Sequence, residues 1–361
     1  DDVGDPDAAA IHGGAPPRPL GGVQEQTPGL ARRRVLCLPE LLKLEGSPMA
    51  GIDRAHAQLT QSLDTCRVVG VVVDDLVARG PAGSREEIAA EEVNDLGWSA
   101  LFRIENWDST RDVAYRIRHG TKAIYEGLIR HDPVEKEEIV VAAFSCSSNK
   151  DRGDRESYVR NIEYLDPDLI FLAGDQSYDP TEHTASWLLF GSQFGEMWRD
   201  RPCISIPDDH DIGQPNLWGE SGKVSTLSGA SDGGYTYHPE YVKMVERCQT
   251  ANLPDPFDPT PIGQGIGVYY TNLLLGEVDF AILEDRKFKT GPAGKIPQMG
   301  PRPDHIYDPA YDPASIDLPG LVLLGERQLD FLDQWATWDE GVTMRAVLSQ
   351  TGFCGAAHLH G

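Results

Sequence analysis

Residues 139–149 read Ile-Val-Val-Ala-Ala-Phe-Ser-Cys-Ser-Ser-Asn, residues 167–179 read Pro-Asp-Leu-Ile-Phe-Leu-Ala-Gly-Asp-Gln-Ser-Tyr-Asp, and residues 202–211 read Pro-Cys-Ile-Ser-Ile-Pro-Asp-Asp-His-Asp. Each opens on a short apolar run of strand length, the pattern of a strand covered on both faces. Between the first two runs, Tyr158, Ile162 and Leu165 recur at helical spacing, and Asp154 is placed to cap the helix. Residues 187–198 predict a second helix before the third run. The connections are long enough for crossovers between parallel strands, so this part of the chain reads as α/β. Further on, 268–275 and 278–284 predict a hairpin turning at Gly276-Glu277. Residues 326–338 predict an amphipathic helix through Phe331, Leu332, Trp335 and Trp338, and 344–349 a last strand.

Ligands of open α/β sheets bind at the carboxyl ends of the strands. Ser145-Cys146-Ser147-Ser148-Asn149 follows the first strand, Gly174-Asp175-Gln176-Ser177-Tyr178-Asp179 the second, and Asp208-Asp209-His210-Asp211 the third, with Gly213 and Asn216 shortly beyond. Carboxylates, a thiol, a phenol and an imidazole thus converge on one sheet edge. Three carboxylates within four residues repel one another, which leaves a bound cation or a solvated loop as explanations. Their position directly after an apolar strand favours the cation. Taken alone, Cys146 reads as a core thiol and Gly174-Asp175 as a capped turn; side by side on neighbouring strands they read as a site.

The regions before 138 read differently. Residues 1–30 hold six Gly and five Pro without periodicity, a flexible lead-in. In 31–137, residues 34–38 and 67–73 predict buried strands, and 83–95 predict a short helix capped by Ser84. Segments 98–104, 112–117 and 123–129 predict antiparallel strands. A small β-rich domain, sandwich-like and ending near 137 at the charged run Glu135-Lys-Glu-Glu138, is the expectation.

These motifs, in this order, resemble the alkaline phosphatase D (PhoD-like) family of metallophosphatases. Ser-Cys, Gly-Asp-x-x-Tyr and Asp-Asp-His-Asp carry the resemblance. So do the strand 278–285 leading to Arg286, and the helix opening Leu324-Gly-Glu-Arg-Gln328. The resemblance covers about 138–361 and implies an α/β sheet sandwich with helices outside, after a β-rich domain. It also implies a metal-dependent phosphoric-ester hydrolase, a phosphomonoesterase or phosphodiesterase acting outside the cytoplasm. Asp175 would bridge two ions, Cys146 and Tyr178 would hold a ferric-type ion, and Asp209 or Asn216 a second, calcium-type ion. Mg2+, Mn2+ and Zn2+ are alternatives, since thiolate and phenolate suit transition metals and carboxylates suit hard cations. Two ions about 4 Å apart can clamp a phosphate and activate a hydroxide. His210 would steady the phosphate or protonate the leaving oxygen, and Arg286 would contact the phosphate in a bidentate way. Asp208, Asp211, Asn149 and His360 are further candidates. The family continues beyond a segment such as 358–361, so the expectation is a domain incomplete at its C-terminus.

Composition narrows the partners. The 361 residues carry 32 basic and 57 acidic groups, a formal charge of -25. A long nucleic acid needs a basic face, so the expected substrate is a small phosphate ester. No apolar run reaches the roughly 18 residues that span a bilayer. The six cysteines show no CxxC pair, and most read as buried thiols. A non-catalytic, calcium-binding surface protein remains a rival through the acidic loops at 254–259 and 307–313, although Asp-Pro turns explain these more simply. A relative that kept the fold and lost the chemistry is a second rival.

Overall fold

Leu169, Ile170, Phe171 and Leu172 are all buried, and they alternate between two different cores. That alternation follows from the period-two pleat of a strand, and it explains why the run is continuously apolar. In the computed structural model the described residues are 34–37, 68–74, 85–88, 92–94, 99–104, 108–119, 122–147, 154–214, 216–298, 300, 308–310, 312–337 and 341–351. The lead-in expected at 1–30 lies outside them.

The β-rich part contains β1 (Arg34–Cys37), β2 (Val68–Asp74), β3 (Arg85–Ile88), β4 (Glu92–Asn94), β5 (Ser99–Ile104), β6 (Val113–His119) and β7 (Lys122–Ile129). They form two antiparallel sheets, ordered β1-β5-β4 and β3-β2-β6-β7. The helix expected over 83–95 is replaced by β3 and β4. Local sequence favoured a capped helix there, but Glu86 and Glu87 pair across from Val73 and Val72 of β2. Pairing with an existing strand overrides a weak local preference.

The following elements are β8 (Val141–Phe144), α1 (Arg155–Leu165), β9 (Leu169–Leu172), α2 (His183–Phe194), β10 (Cys203–Ser205), α3 (Asp209–Ile212), α4 (Pro239–Thr250), β11 (Thr271–Leu275), β12 (Val278–Ile282), α5 (Glu326–Trp335) and β13 (Met344–Leu348). One sheet is parallel, ordered β10-β9-β8. The other, β11-β12-β13, joins an antiparallel hairpin to a parallel pair. Between the sheets, Leu169, Phe171, Ile204 and Ile206 meet Val278, Phe280, Ile282 and Leu348. Ile170 and Leu172 face Trp187, Phe190 and Phe194 of α2, while Ala281 and Leu283 face Phe331 and Trp335 of α5. The architecture is therefore a sandwich of two sheets with helices outside, as expected.

Several details match the sequence reading. Asp154 caps α1, its carboxylate accepting from Ser157 N at 3.3 Å. The hairpin turns at Gly276 and Glu277, both left-handed with φ of 56° and 64°, as a two-residue turn of type I′ requires. Other details differ. β8 is only half-buried, because it stands at the edge of its described sheet while β9 lies in the middle. On α1 only Ile162 is buried; Tyr158 is 48% and Leu165 61% exposed. Of the cysteines, Cys248 is buried, Cys203 half-buried and Cys146 exposed; the side chains of Cys37, Cys66 and Cys354 lie outside the described residues. α4 was not anticipated, although Pro239 at its first turn and the periodic Val242, Val245 and Cys248 are helix signals.

Candidate metal centre

Asp211 holds the site together. It is fully buried at the start of the segment after β10, and its two oxygens accept three backbone N–H groups. Asp175 N lies at 2.7 Å and Asp208 N at 2.9 Å from Oδ2, and Ser177 N at 2.8 Å from Oδ1. One carboxylate therefore ties the loop after β9 to the loop after β10. Gly174 permits that approach. Its φ is 89°, and a Cβ there would stand 2.3 Å from Cβ of Asp208, so only glycine fits.

On this frame Asp175, Asp209 and His210 each place a ligand-type atom within 4.8 Å of the other two. Asp175 Oδ2 accepts from the Tyr178 hydroxyl at 2.8 Å and from the Cys146 thiol at 3.4 Å. Its Oδ1 accepts from His210 N at 3.3 Å. Asp209 Oδ2 accepts from Asn216 N at 2.6 Å. The His210 ring stacks on Tyr178, with centroids 4.4 Å apart. Cys146, Asp175 and Asn216 all have left-handed backbones, φ 56°, 62° and 61°. Non-glycine residues held in that region cost of order 1–3 kcal/mol each and cluster where surroundings impose the geometry.

Arg286 reaches across from the end of β12. Its Nε lies 2.7 Å from Asp208 Oδ1, Nη2 donates to Asp208 Oδ2 at 3.3 Å, and Nη2 is 3.9 Å from Asp209 Oδ1. The guanidinium is thus engaged with the acidic turn. Asp285, beside it, is fully buried, and its Oδ2 accepts from Thr351 N at 2.8 Å. Asp285 closes the 278–285 segment, whose sequence pattern points to Arg286 and not to this carboxylate.

The electrostatics are those of crowded acids. Burial first, and the Asp209 charge next, push the Asp175 carboxyl above the usual carboxylate range, against the Tyr178 and Cys146 hydrogen bonds. Burial pushes Asp208 up to about 7; Arg286 pulls it down, and Asp209 and Asp175 add to the push. Burial and the neighbouring Asp175 raise the Tyr178 phenol as well. With Asp208 and Asp209 both 7% exposed and Asp211 at 0%, the solvated-loop explanation fails. A cation between Asp175 and Asp209 removes the repulsion that helps to raise Asp175. The donor set fits one: carboxylates for a divalent ion, with thiol and phenol beside them for a transition metal.

The structure brings together Cys146, Asp175, Tyr178, Asp208, Asp209, His210, Asn216 and Arg286. Asp211 lies with them, but its oxygens are taken by backbone. Asn149 and His360 lie outside the described residues. Among the described residues, the acidic loops of the rival reading cap their own turns and form no second cluster. Asp258 accepts from Thr260 N at 2.9 Å and pairs with Arg327; Asp308 and Asp312 accept from Ala310 N at 2.8 Å and Ala314 N at 3.0 Å.

Among solved structures, PhoD is similar to this chain, with a TM-score of 0.53 at 14% identity over 78% of this chain. The match spans 55% of the PhoD chain, so this chain corresponds to about half of that protein's length. The purple acid phosphatase PPD1 from yellow lupin (Lupinus luteus) seeds gives a TM-score of 0.41 at 15% identity, over 60% of this chain and 40% of its own. No family model matches the chain. No curated protein matches it. The fold of this chain is thus similar to that of PhoD.

Proposed function

We propose that this chain is a metal-dependent hydrolase of small phosphoric esters, a phosphomonoesterase or phosphodiesterase. The observation that carries the proposal is the convergence of Asp175, Asp209 and His210 within 4.8 Å, with Tyr178 and Cys146 hydrogen-bonded to Asp175, at the carboxyl edge of a parallel sheet. Asp175 and Asp209 would hold cations, Asp175 between them, with Cys146 and Tyr178 on a transition-metal side and Asn216 beside Asp209. Bound there, cations would neutralise a phosphate and lower the pKa of a water. Fe3+ with Ca2+ is the first pairing to test, and Mg2+, Mn2+ and Zn2+ are the alternatives.

The protein's own groups have separate tasks. His210 stands half-buried on Tyr178, positioned by that stacking to give a proton to a leaving oxygen. Arg286 orients the Asp208–Asp209 turn through its pair with Asp208; a bidentate phosphate contact would require that pair to open. Asp211 fixes the distance between the two loops. The net charge of -25 disfavours long nucleic acids, and among the described residues no helix is long and apolar enough to cross a membrane.

Hydrolysis of phenyl phosphate and bis(p-nitrophenyl) phosphate, measured after loading with each cation in turn, tests the proposal. Turnover that needs the cation and falls at least about 100-fold in His210→Ala supports it; a cation-loaded chain that hydrolyses neither ester defeats it.

A further inference from the structure

A cavity of about 370 Å³ opens beside Cys146, between β8 and the helices α1 and α2. That volume falls in the range of roughly 300–1,000 Å³ typical of small-molecule sites. Phe144, Phe194 and Met197 supply apolar walls, while Ser147 and Arg155 stand at a polar edge. The edge is built: Arg155 Nη1 donates to the Ser147 carbonyl at 2.9 Å, and the guanidinium lies 5.4 Å from the Phe194 ring centroid. Tyr158 stands edge-on to Phe194, centroids 6.5 Å apart, and remains 48% exposed. Its spacing with Ile162 marks the core-facing stripe of α1, yet about half of its surface is left open.

We propose that this cavity is the subsite for the organic group of the ester, and that it selects an aromatic alcohol. The inference rests on the hydrolase reading, because Cys146 belongs to both the cavity and the candidate centre. A ring in the cavity would meet Tyr158 and Phe194 at their edges and Arg155 over its face, the geometries aromatic and cationic groups favour. A polyhydroxylated group would find Ser145 and Ser147 at one edge only and would press its other hydroxyls against Phe144, Phe194 and Met197, which is costly.

Benzyl phosphate and ethyl phosphate have leaving alcohols of comparable acidity and differ in the ring, so they isolate the subsite. On the full, cation-loaded chain, kcat/KM for benzyl phosphate is expected to exceed that for ethyl phosphate by roughly tenfold or more. Tyr158→Ala should cut that ratio about fivefold, and Tyr158→Phe should retain it. As a measurement independent of turnover, benzyl alcohol should shift the amide resonances around Ser147 and Phe194 in the chain without added cation, and not in Tyr158→Ala. Equal kcat/KM for the two esters, or a ratio unchanged in Tyr158→Ala, overturns the subsite and leaves the hydrolase reading standing. Hydrolysis of neither ester by a chain that turns over phenyl phosphate or bis(p-nitrophenyl) phosphate overturns the subsite alone; hydrolysis of none of the four overturns the hydrolase reading, and the subsite with it.

Discussion

Gly174 and Asp211 show how single residues fix the site. At Gly174 any side chain needs both a left-handed backbone and space already filled by Asp208 Cβ. Gly174→Ala should therefore lower stability by about 2 kcal/mol or more and weaken cation retention, read by thermal melting and by titration with the cation. Asp211→Asn replaces an oxygen that accepts from backbone with an amide that cannot, leaving at least one buried N–H without a partner. A loss of about 2–3 kcal/mol follows, measured in urea; no change would show that the two loops are held some other way. At this scale the sequence was informative about chemistry and silent about division of labour. The four residues Asp208-Asp209-His210-Asp211 were legible as a charged site, but only the fold separates them. Asp209 and His210 face the cluster, Asp208 pairs with Arg286, and Asp211 binds backbone. No local pattern encodes which carboxylate will meet an N–H from a loop more than 30 residues away.

At the scale of elements, α2 carries a titratable device that the proposed chemistry does not use. His183 opens that helix fully buried, with neither ring nitrogen hydrogen-bonded to the described residues, and burial pushes its imidazole down to about 4. The helix N-terminus also disfavours a cation there. The folded protein thus keeps His183 neutral where the unfolded chain, with an ordinary value near 6.5, takes up a proton. The contribution is complete above about pH 6.5 and is lost as pH falls towards 4. Each tenfold in proton affinity is worth about 1.4 kcal/mol, so on the order of 3 kcal/mol is at stake. Urea denaturation of wild type and His183→Phe at pH 7 and pH 4.5 should show a smaller acid loss in the variant; equal losses would clear His183 of the effect. Elements with strong periodicity were legible: β9, the Gly276-Glu277 hairpin and α5 stand where the sequence puts them. β3 and β4 were not, because a polar segment takes its form from the strand it pairs with. Tyr158 shows the same limit from the other side: helical spacing gives the stripe, while its cover depends on the neighbours.

At the scale of the whole molecule, hydrogen bonds between side chains and backbone groups join the β-rich part to the sandwich. Tyr115 Oη donates to Arg199 O at 2.8 Å, and Leu128 N donates to Asp200 Oδ1 at 2.9 Å. A Cβ on Gly127 would meet Arg199 O at 2.6 Å and the Tyr115 ring at 2.7 Å. Gly127→Val should therefore separate these surfaces and lower the melting temperature, at a cost of about 2 kcal/mol; an unchanged melting curve would show that the contact contributes nothing. We propose that a domain boundary near 137 coincides with this docking. The total charge of -25 describes the surface and not the site: in the proposed function the buried carboxylates of Asp175 and Asp209 would receive cations, which in turn would receive an anion. Metal content decides whether Asp175 belongs to a cation site. After equilibration with Fe3+ and Ca2+ and exhaustive dialysis, elemental analysis should find at least one cation per chain in the wild type and none in Asp175→Asn. A wild type that retains no cation, or an Asp175→Asn variant that retains as much as the wild type, would contradict the account.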